Sequence, residues 1–309
     1  MSQYTRLNHS EIADILAAYG LSNLSTFKIL SGGSENTNYY VETATGKYVL
    51  SICEQKSVQQ ATDLAQLLEY LAEAGFQTSK VIRSLQGEAI LVRFEKPIIL
   101  KEYLEGEIQQ DLSPTLLKII GKDLARLHQI EAPVYLPKGL GYGIEKFHQV
   151  DRYAPKTEFA DWLKKISTYI QPYLEQELPK TIIHSDLFWS NIIIEPEGPS
   201  ISIMDFEEAA YYYRVFDLGM TIIGICAEGQ TINLEKARHF LSGYQTELSL
   251  SANEKRALKA FTVYAGAAMT FWRHQNFNET KPDPAMFDHY LGLKVLVDFM
   301  MVQDEDCFF

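Results

Sequence analysis

Apolar residues in the first hundred positions fall into short runs bounded by turn residues, which is the pattern of β-strands. Two other stretches, residues 10–19 and 59–73, repeat their apolar residues every three or four positions, which predicts helices. Ser10 stands where a helix cap is expected, and Gly75 where a helix ends. The pattern predicts a small antiparallel sheet with two helices. The expected strands are residues 27–30, 39–43, 47–53, 81–82, 89–92 and 98–100.

Beyond residue 102 the pattern changes from strands to helices. We expect a hinge at this change, where an acidic turn, Glu105-Gly106-Glu107, follows the last strand of the first part. The chain is therefore predicted to be an α+β protein with two lobes. The N-terminal lobe, residues 1–102, carries the small sheet, and the C-terminal lobe, residues 103–309, is mainly helical. The expected helices of the second lobe are residues 114–129, 158–177, 234–248, 253–274 and 284–301, with strands at 181–183, 192–194 and 201–204.

The main chemical signal is a pair of acidic motifs at the two ends of a predicted hairpin. Asp186 follows His184-Ser185 and precedes Asn191 by five positions, and Asp205-Phe206 follows the second hairpin strand. This order matches H-R-D-x-x-x-x-N and D-F-G, the motifs of phosphoryl transfer. There the first aspartate accepts the proton of the substrate hydroxyl, while the asparagine and the last aspartate offer hard oxygen ligands to Mg²⁺. We predict Asp186 as catalytic, and Asn191 and Asp205 as metal ligands.

These motifs resemble a known family. Residues 184–191, 205–209 and 216–219 are similar to the aminoglycoside phosphotransferase and choline kinase superfamily, which shares the two-lobed fold of protein kinases. Within that superfamily, Asp186-Leu187-Phe188, residues 33–39, and the segment 281–284 before Tyr290 look most like the bacterial homoserine kinases. The resemblance covers nearly the whole chain, and its catalytic motifs are specific for the superfamily.

The resemblance implies ATP and Mg²⁺ as cofactors and a small amino alcohol as phosphate acceptor. The best match is L-homoserine, which would be converted to O-phospho-L-homoserine in threonine biosynthesis. It also implies that a loop between the first two strands covers the ATP phosphates, and that backbone groups at the hinge bind the adenine edge. These residues are Gly32, Gly33, Ser34 and Asn36 in the loop, and Glu102 and Leu104 at the hinge.

Other acceptors of the same superfamily stay open, namely choline or ethanolamine, a methylthioribose-like sugar, or an aminoglycoside. The strand of residues 47–53 also departs from the kinase pattern, because Ser51 stands where a phosphate-binding lysine or arginine is expected. Lys56 is the predicted replacement, and Lys47 is the alternative. A pseudokinase, which binds nucleotide without turnover, is the alternative that the missing cation favours.

Three further residues are candidates for substrate binding. Glu207, close to the metal ligand Asp205, is placed to receive a substrate ammonium, and Arg214 has the bidentate fork that suits a carboxylate. A local charge cluster that holds the loop is an equal alternative for these two. Arg273, near the end of a long predicted helix, is a candidate because related kinases build the substrate pocket from late helices; an interaction with the helix dipole is the simpler explanation.

Composition restricts the partners. The net charge is −12 and the pI is near 5.1, so neither nucleic acid nor an anionic membrane is an expected partner, because both attract basic surfaces. Three scattered cysteines give no disulfide framework or zinc spacing, and the first ten residues lack the apolar core of a signal peptide. A cytoplasmic protein is expected, and the sequence does not predict its oligomeric state.

Overall fold

The computed structural model describes residues 5–30, 36–196, 198 and 200–309. Gly32, Gly33 and Ser34, which were predicted to cover the ATP phosphates, lie outside the described residues. Contacts between Cα atoms divide the chain into two units. The N-terminal unit is Met1–Gly106 together with Ser202–Met204, and the C-terminal unit is Glu107–Ile201 together with Asp205–Phe309.

A five-stranded antiparallel sheet forms the centre of the N-terminal unit, with strand order β1-β2-β3-β5-β4. The long pairing of β2 with β3 sets its register, with Asn38 opposite Ser51 and Tyr39 opposite Leu50. The side chains alternate between the two faces of the sheet, as strand geometry requires. The elements are α1 His9–Ala17, β1 Thr26–Ile29, β2 Asn36–Thr43, β3 Gly46–Cys53, α2 Val58–Glu73, β4 Leu91–Arg93 and β5 Lys96–Glu102.

One face of this sheet packs against α1. Ile12 and Leu16 of α1 are buried in the same apolar cluster as Leu50 and Leu100 of the sheet. Helix α1 begins with a capping box in which Asn8 and Glu11 bond each other's backbone N–H groups, so the cap lies two residues before the predicted Ser10. Burial of these large apolar side chains, worth about 1.5–3 kcal/mol each, is the main contribution to the stability of the unit.

A half-buried carboxylate fixes the chain that precedes α1. The Glu54 carboxylate accepts a hydrogen bond from the Thr5 N–H (2.8 Å) and further bonds from the Thr37 hydroxyl and the Lys96 ammonium. Burial raises the pKa of Glu54, but the hydrogen bonds from Lys96, Thr37 and Thr5 outweigh it and hold the pKa at about 2. The group is therefore ionised in the folded protein at any ordinary pH.

The rest of the chain is mainly helical. Helices α3 and α7 pack so closely at Gly121 that no side chain fits between them. A Cβ atom added to Gly121 would lie 2.1 Å from the Phe240 carbonyl oxygen. The elements are α3 Pro114–Leu127, α4 Val150–Tyr153, α5 Glu158–Leu174, β6 Lys180–Ile183, β7 Ile192–Ile194, β8 Ile201–Ile203, β9 Ala210–Tyr213, α6 Arg214–Ile225, β10 Ala227–Glu228, β11 Thr231–Ile232, α7 Leu234–Glu247, α8 Ala252–Gln275 and α9 Leu291–Met301.

The α+β class, with an antiparallel sheet first and helices afterwards, is confirmed. Two local predictions were wrong: residues 81–82 form only an isolated bridge at Val81, and α9 begins at Leu291 rather than at residue 284. The strand of residues 210–213, which pairs with β6, was not predicted. Asp283 explains the late start of α9, because its side chain and carbonyl accept the N–H groups of the next residues and form a turn. In the described part of the chain, no helix has the length and apolar character of a membrane span.

Candidate active site

The predicted catalytic loop follows β6, and its backbone is held by one buried carboxylate. Asp217, in the first turn of α6, accepts the N–H of His184 at 2.8 Å and the N–H of Ser185 at 2.7 Å. Ser185 has a left-handed φ of +66°, which a non-glycine residue adopts at a cost of order 1–3 kcal/mol. The two hydrogen bonds to a carboxylate compensate for this strain. They set the direction in which the next residue, Asp186, leaves the loop.

Asp217 is itself fixed by a buried hydrogen-bonded chain. His128 Nε2 lies 3.1 Å from Asp217 Oδ2, and the other ring nitrogen, Nδ1, lies 2.8 Å from the Tyr244 hydroxyl. His128, Asp217 and Tyr244 are all buried. A fully satisfied polar network of this kind is rigid, because each displacement would leave a buried polar atom without a partner. It supports the loop without contacting a substrate.

Asn191 closes the other end of the catalytic loop. Its Nδ2 group donates to the Asp186 carbonyl oxygen at 2.8 Å, across the five-residue spacing read from the sequence. Since the amide nitrogen is used in this bond, the amide oxygen remains as an acceptor, and no described residue donates to it. A neutral oxygen held in this way suits the role of a metal ligand.

The loop that carries Asp205 is joined directly to the catalytic loop. The ring of Phe206 contacts the ring of His184, with centroids 4.7 Å apart, and the Ser185 hydroxyl donates to the Glu208 carbonyl oxygen at 2.6 Å. Asp205 also has a left-handed φ, +68°. The residues next to Asp205 thus touch the residues next to Asp186, so the structure joins the two loops that carry the predicted carboxylates within the C-terminal unit.

Exposure of the three side chains fits their predicted roles. Asn191 is buried, Asp186 is half-buried and Asp205 is exposed. In the described residues no group of three or more His, Cys, Asp or Glu side chains could hold a metal ion. Mg²⁺ commonly uses one or two protein oxygens and completes its coordination with water and substrate phosphates. The donors Asn191 and Asp205 fit a magnesium ion of that kind, and would not form a metal cage by themselves.

A positive charge lies beside Asp186. Arg273, in the last turn of α8, has its guanidinium 5.8 Å from the centroid of the Phe188 ring. Burial lowers the pKa of Arg273 to about 10, while the charge of Asp186 acts in the opposite direction. Arg273 therefore stays charged at neutral pH and faces the catalytic loop, which keeps it as a candidate for substrate binding.

Arg214 has a different environment from the one predicted. Its guanidinium makes a bidentate ion pair with Glu254, with a distance of 2.8 Å from Nη2 to Oε2, and also donates to the Ser249 carbonyl. Glu254 is completely buried at the start of α8. The fork that was predicted to receive a substrate carboxylate is occupied by this carboxylate of the protein. The pair joins the first residues of α6 and α8, and we correct the role of Arg214 to a structural one.

Of the two neighbouring glutamates, Glu208 has the clearer link to the catalytic loop. Its carbonyl accepts the bond from Ser185, and its carboxylate helps to raise the pKa of Tyr142, after the larger effect of burial. Glu207 is half-buried on the same loop, and it stays a candidate receiver for a substrate ammonium.

Two residues that sequence reasoning missed support the loop from outside. The Tyr142 hydroxyl donates to the Ser185 carbonyl at 2.7 Å, from a segment of alternating glycines at residues 139–143. Gly224 of α6 lies against the loop, since an added Cβ would be 2.4 Å from the Leu187 carbonyl oxygen. The Gly-Leu-Gly-Tyr-Gly run was the available signal for Tyr142, whereas nothing in the sequence singles out Gly224.

The remaining candidates lie in the N-terminal unit. Ser51 is buried, and its hydroxyl has no hydrogen-bond partner among the described residues. Lys47 is paired with Glu105 at 2.6 Å, and Lys56 is half-buried. Asn36 is buried at the start of β2. At the predicted hinge, the Glu102 N–H donates to the Lys80 carbonyl.

Leu104 differs from its neighbour Glu102 in its backbone bonds. No described residue accepts a hydrogen bond from the Leu104 N–H, and the residue is only partly buried. A half-exposed backbone donor of this kind is the group that an adenine edge requires. Leu104 therefore stays the better of the two hinge candidates.

Comparison with known proteins assigns the family. The model of the phosphotransferase enzyme family matches residues 26–251, which is most of the chain and includes all three predicted catalytic and metal-binding residues. The chain belongs to that family. The predicted resemblance and the prediction of a phosphotransferase enzyme are thereby confirmed, and the family implies that the enzyme uses ATP.

Individual relatives cover almost the whole chain. The enzyme is 28% identical over 280 residues to a homoserine kinase of Caulobacter sp. (strain K31), covering 88% of this chain and 87% of the relative. It is also 28% identical over 304 residues to a homoserine kinase of Polaromonas naphthalenivorans (strain CJ2), covering 88% of each.

Solved structures confirm the fold. An amicoumacin kinase bound to AMP-PNP and Ca²⁺ has a TM-score of 0.74 and 17% identity, covering 97% of this chain and 96% of that chain. A microcompartment-associated aminopropanol kinase has a TM-score of 0.72 and 16% identity, covering 97% and 95%. At these identities the likeness concerns the kinase-like fold alone.

Proposed function

We propose that the enzyme transfers the γ-phosphoryl group of ATP to the hydroxyl of L-homoserine and produces O-phospho-L-homoserine and ADP. The observation that carries the reaction is the joined pair of loops, in which Asp186 and Asn191 are bonded to each other and Phe206, next to Asp205, packs on His184. The names of the relatives, which are 28% identical to this chain in alignments that cover 88% of it, support the choice of homoserine.

In the proposed mechanism Asp186 binds and orients the acceptor hydroxyl and accepts its proton as the bond to phosphorus forms. Because the transition state of phosphoryl transfer is loose, the proton can leave late, and a carboxylate of ordinary basicity is sufficient. Most of the catalysis then comes from positioning, which the hydrogen bonds to Asp217 and Tyr142 provide by holding the loop rigid.

Magnesium is part of the proposal. Asn191 and Asp205 are the side chains that would hold it, and when bound it neutralises charge on the phosphates. In the N-terminal unit we propose that the Leu104 N–H donates to the adenine edge and that Lys56, which follows the strand where a phosphate-binding cation is expected, is directed at the phosphates. Glu207 is proposed as the receiver of the substrate ammonium.

An acceptor panel tests the substrate. Release of ADP is measured with L-homoserine, choline, ethanolamine, methylthioribose and an aminoglycoside, and kcat/KM is compared. L-Homoserine should have the highest value. If any other alcohol exceeds it tenfold, the homoserine assignment is wrong while the phosphotransferase chemistry stands.

A substitution tests the catalytic residue. Asp186→Asn keeps the shape of the side chain and removes its ability to accept a proton, so kcat should fall by about 10²- to 10⁴-fold. ATP binding, measured by calorimetry, should change little. Asp304→Asn, at an exposed position near the C-terminus, is the matched control and should have wild-type turnover. Normal turnover in Asp186→Asn would exclude the proposed role.

A further inference from the structure

Arg273 is a charged side chain whose guanidinium is not hydrogen-bonded or ion-paired to any described residue. It lies in the last turn of α8 and contacts the ring of Phe188, which is two residues after Asp186 in the catalytic loop. In the part of the chain that the structure describes, its guanidinium makes no hydrogen bond and no ion pair. The guanidinium has five N–H donors, and leaving them unsatisfied in a partly desolvated place is costly.

The contrast with Arg214 shows that a desolvated arginine elsewhere in the described part of the fold has a hydrogen-bonded carboxylate partner. Arg214 is also largely buried, and it is satisfied by a bidentate bond to Glu254. The fold thus gives one desolvated guanidinium a bidentate carboxylate partner, whereas among the described residues the other has the nearby charge of Asp186 but no hydrogen bond or ion pair. Since the whole protein is acidic, with a net charge of −12, a guanidinium whose N–H groups are left for a ligand indicates that this ligand is an anion.

A second nitrogen donor lies beside Arg273. After α8 the chain forms a π-helical turn, Asn276–Thr280, and is bonded back on itself where the Asp283 N–H donates to the Phe277 carbonyl at 3.0 Å. This return brings His289 against Phe277, with ring centroids 5.8 Å apart. The same Phe277 ring contacts Trp272, the residue before Arg273, with centroids 6.1 Å apart, so His289 lies close to the end of α8 that carries Arg273. Burial lowers the pKa of His289, and the charge of Arg273 lowers it further. No described residue bonds the His289 imidazole.

The position of His289 is fixed through the residue that follows it. Tyr290 packs edge-on against the ring of His274, with centroids 4.6 Å apart, and His274 is adjacent to Arg273 on α8. The His274 ring is in turn stacked on Phe159 of α5. The two segments that carry Arg273 and His289 are therefore packed against each other.

From this arrangement we infer that Arg273 and His289 together bind the carboxylate of the phosphate acceptor, and that they make the enzyme selective for hydroxy acids over alcohols that lack a carboxylate. The inference rests on the proposed function and specifies which part of the substrate this end of the site recognises. With the carboxylate bound here, the fork of Arg273 donates two parallel bonds and His289 donates a third. The acceptor hydroxyl is left to face Asp186.

A competing role for Arg273 makes a different prediction. A cation beside Asp186 could instead neutralise the phosphoryl group in transfer, as electrostatic stabilisation of a transition state requires. In that role Arg273 would assist every acceptor equally, whereas a carboxylate receptor assists only acceptors that have a carboxylate. The ratio of kcat/KM between two matched acceptors therefore distinguishes the roles.

The turnover experiment uses L-homoserine and 3-amino-1-propanol, which has the same chain between hydroxyl and amine but no carboxylate. In Arg273→Gln the ratio of kcat/KM, homoserine over aminopropanol, should fall about 100-fold, the value of two charge-assisted hydrogen bonds. In His289→Asn it should fall about tenfold, and Arg273→Lys should recover part of the loss because it keeps the charge. Arg256→Gln, an exposed position at the start of the same helix, should leave the ratio unchanged. An unchanged ratio in Arg273→Gln, with both acceptors slowed equally, overturns the inference.

A binding experiment makes the inference testable apart from turnover. L-2-Aminobutyrate is homoserine without its hydroxyl, and propylamine is the same molecule without the carboxylate. By calorimetry, the wild-type protein should bind L-2-aminobutyrate more tightly than propylamine, and Arg273→Gln should lose that difference. Equal binding of L-2-aminobutyrate by wild type and Arg273→Gln contradicts the anion site. If the wild-type enzyme phosphorylates neither alcohol, the proposed function fails, and the binding pair still decides the anion site.

Discussion

Two residues with left-handed backbone, Ser185 and Asp205, lie where the chemistry is proposed. Ser185 precedes the predicted catalytic residue Asp186, and Asp205 is itself a predicted metal ligand. Each left-handed conformation costs free energy that hydrogen bonds of neighbouring groups must offset. For Ser185 the offset is visible, because both its N–H and its hydroxyl are bonded, to Asp217 and to Glu208. Strain at a residue that local bonds fix is a common property of functional sites, and here it sets the directions of Asp186 and Asp205.

Glu54 provides a test of stability at the residue scale. Its pKa in the folded protein, about 2, lies below its ordinary value of 4.5, so the ionised group stabilises the fold above pH 4.5, and this contribution is lost as the pH falls toward 2. Glu54→Gln should lower the free energy of unfolding at pH 7 by about 2 kcal/mol, the cost of weakening charged hydrogen bonds. Measured by denaturant titration, the difference from wild type should shrink between pH 4.5 and 2.

The exposed Glu88→Gln is the control for that measurement, and it should show a small difference at pH 7. A Glu54→Gln variant that is as stable as wild type at pH 7 would mean that the hydrogen bonds to Glu54 only offset the free-energy cost of burying its carboxylate.

At the scale of elements, α6 positions the catalytic loop through the small size of Gly224. A Cβ at this position would lie 2.4 Å from the Leu187 carbonyl oxygen, a distance that only a shift of the helix or of the loop could relieve. In Gly224→Ala we expect kcat to fall about 10- to 100-fold, because displacements near 1 Å at a reacting group have effects of that size. The kcat of Gly224→Ala is measured by steady-state kinetics at saturating ATP and compared with that of the wild type.

Gly292→Ala, in the first turn of α9, is the matched control, because no atom lies within 4 Å of its added Cβ. It should keep wild-type kcat and gain up to about 1 kcal/mol of stability from better helix propensity. Should Gly224→Ala retain full activity, the contact of α6 with Leu187 would have no part in positioning Asp186.

The ion pair of Arg214 with Glu254 joins the starts of α6 and α8, and its loss should affect stability rather than substrate binding. Arg214→Met leaves Glu254 buried without its partner, which costs about 3–5 kcal/mol. The double variant Arg214→Met with Glu254→Leu removes both charges and should recover most of that loss. Thermal unfolding measures both, and KM for homoserine should stay within twofold in the double variant. A large rise in KM there would return Arg214 to the substrate site.

At the scale of the whole molecule, the proposed enzyme must bind a highly negative nucleotide although its own net charge is −12. We therefore expect turnover to require a divalent cation in addition to the cationic side chains. Chelation with EDTA should abolish ADP release, and added Mg²⁺ should restore it. The unfolding temperature of the nucleotide-free protein should not change, because the described residues contain no group of three or more His, Cys, Asp or Glu side chains that could hold a structural metal.

Asn191→Ala sharpens this test. It removes one proposed ligand, so the Mg²⁺ concentration for half-maximal activity should rise several-fold while the same maximum can be approached. A fall in unfolding temperature on chelation of the wild type would instead show a metal with a structural role.

Most of the fold followed from local patterns. The strands of the sheet and the principal helices were predicted within a few residues, because apolar periodicity records which face of each element is buried. Strand β9 was missed because its tyrosine-rich run lacks a polar alternation, and it becomes a strand only by pairing with β6. The start of α9 was missed because a side-chain turn at Asp283 replaces its first helical residues.

By itself the sequence determined the phosphotransferase class, and it predicted three oxygen-bearing residues, Asp186, Asn191 and Asp205, because they belong to motifs whose spacing is local. Only the tertiary structure decided the partners of the charges. Arg214 and Glu254 are 40 residues apart, and His289 reaches Arg273 through a return of the chain that no periodicity records. Ion pairs depend on distances in space, and a sequence fixes those distances only after packing has placed the elements.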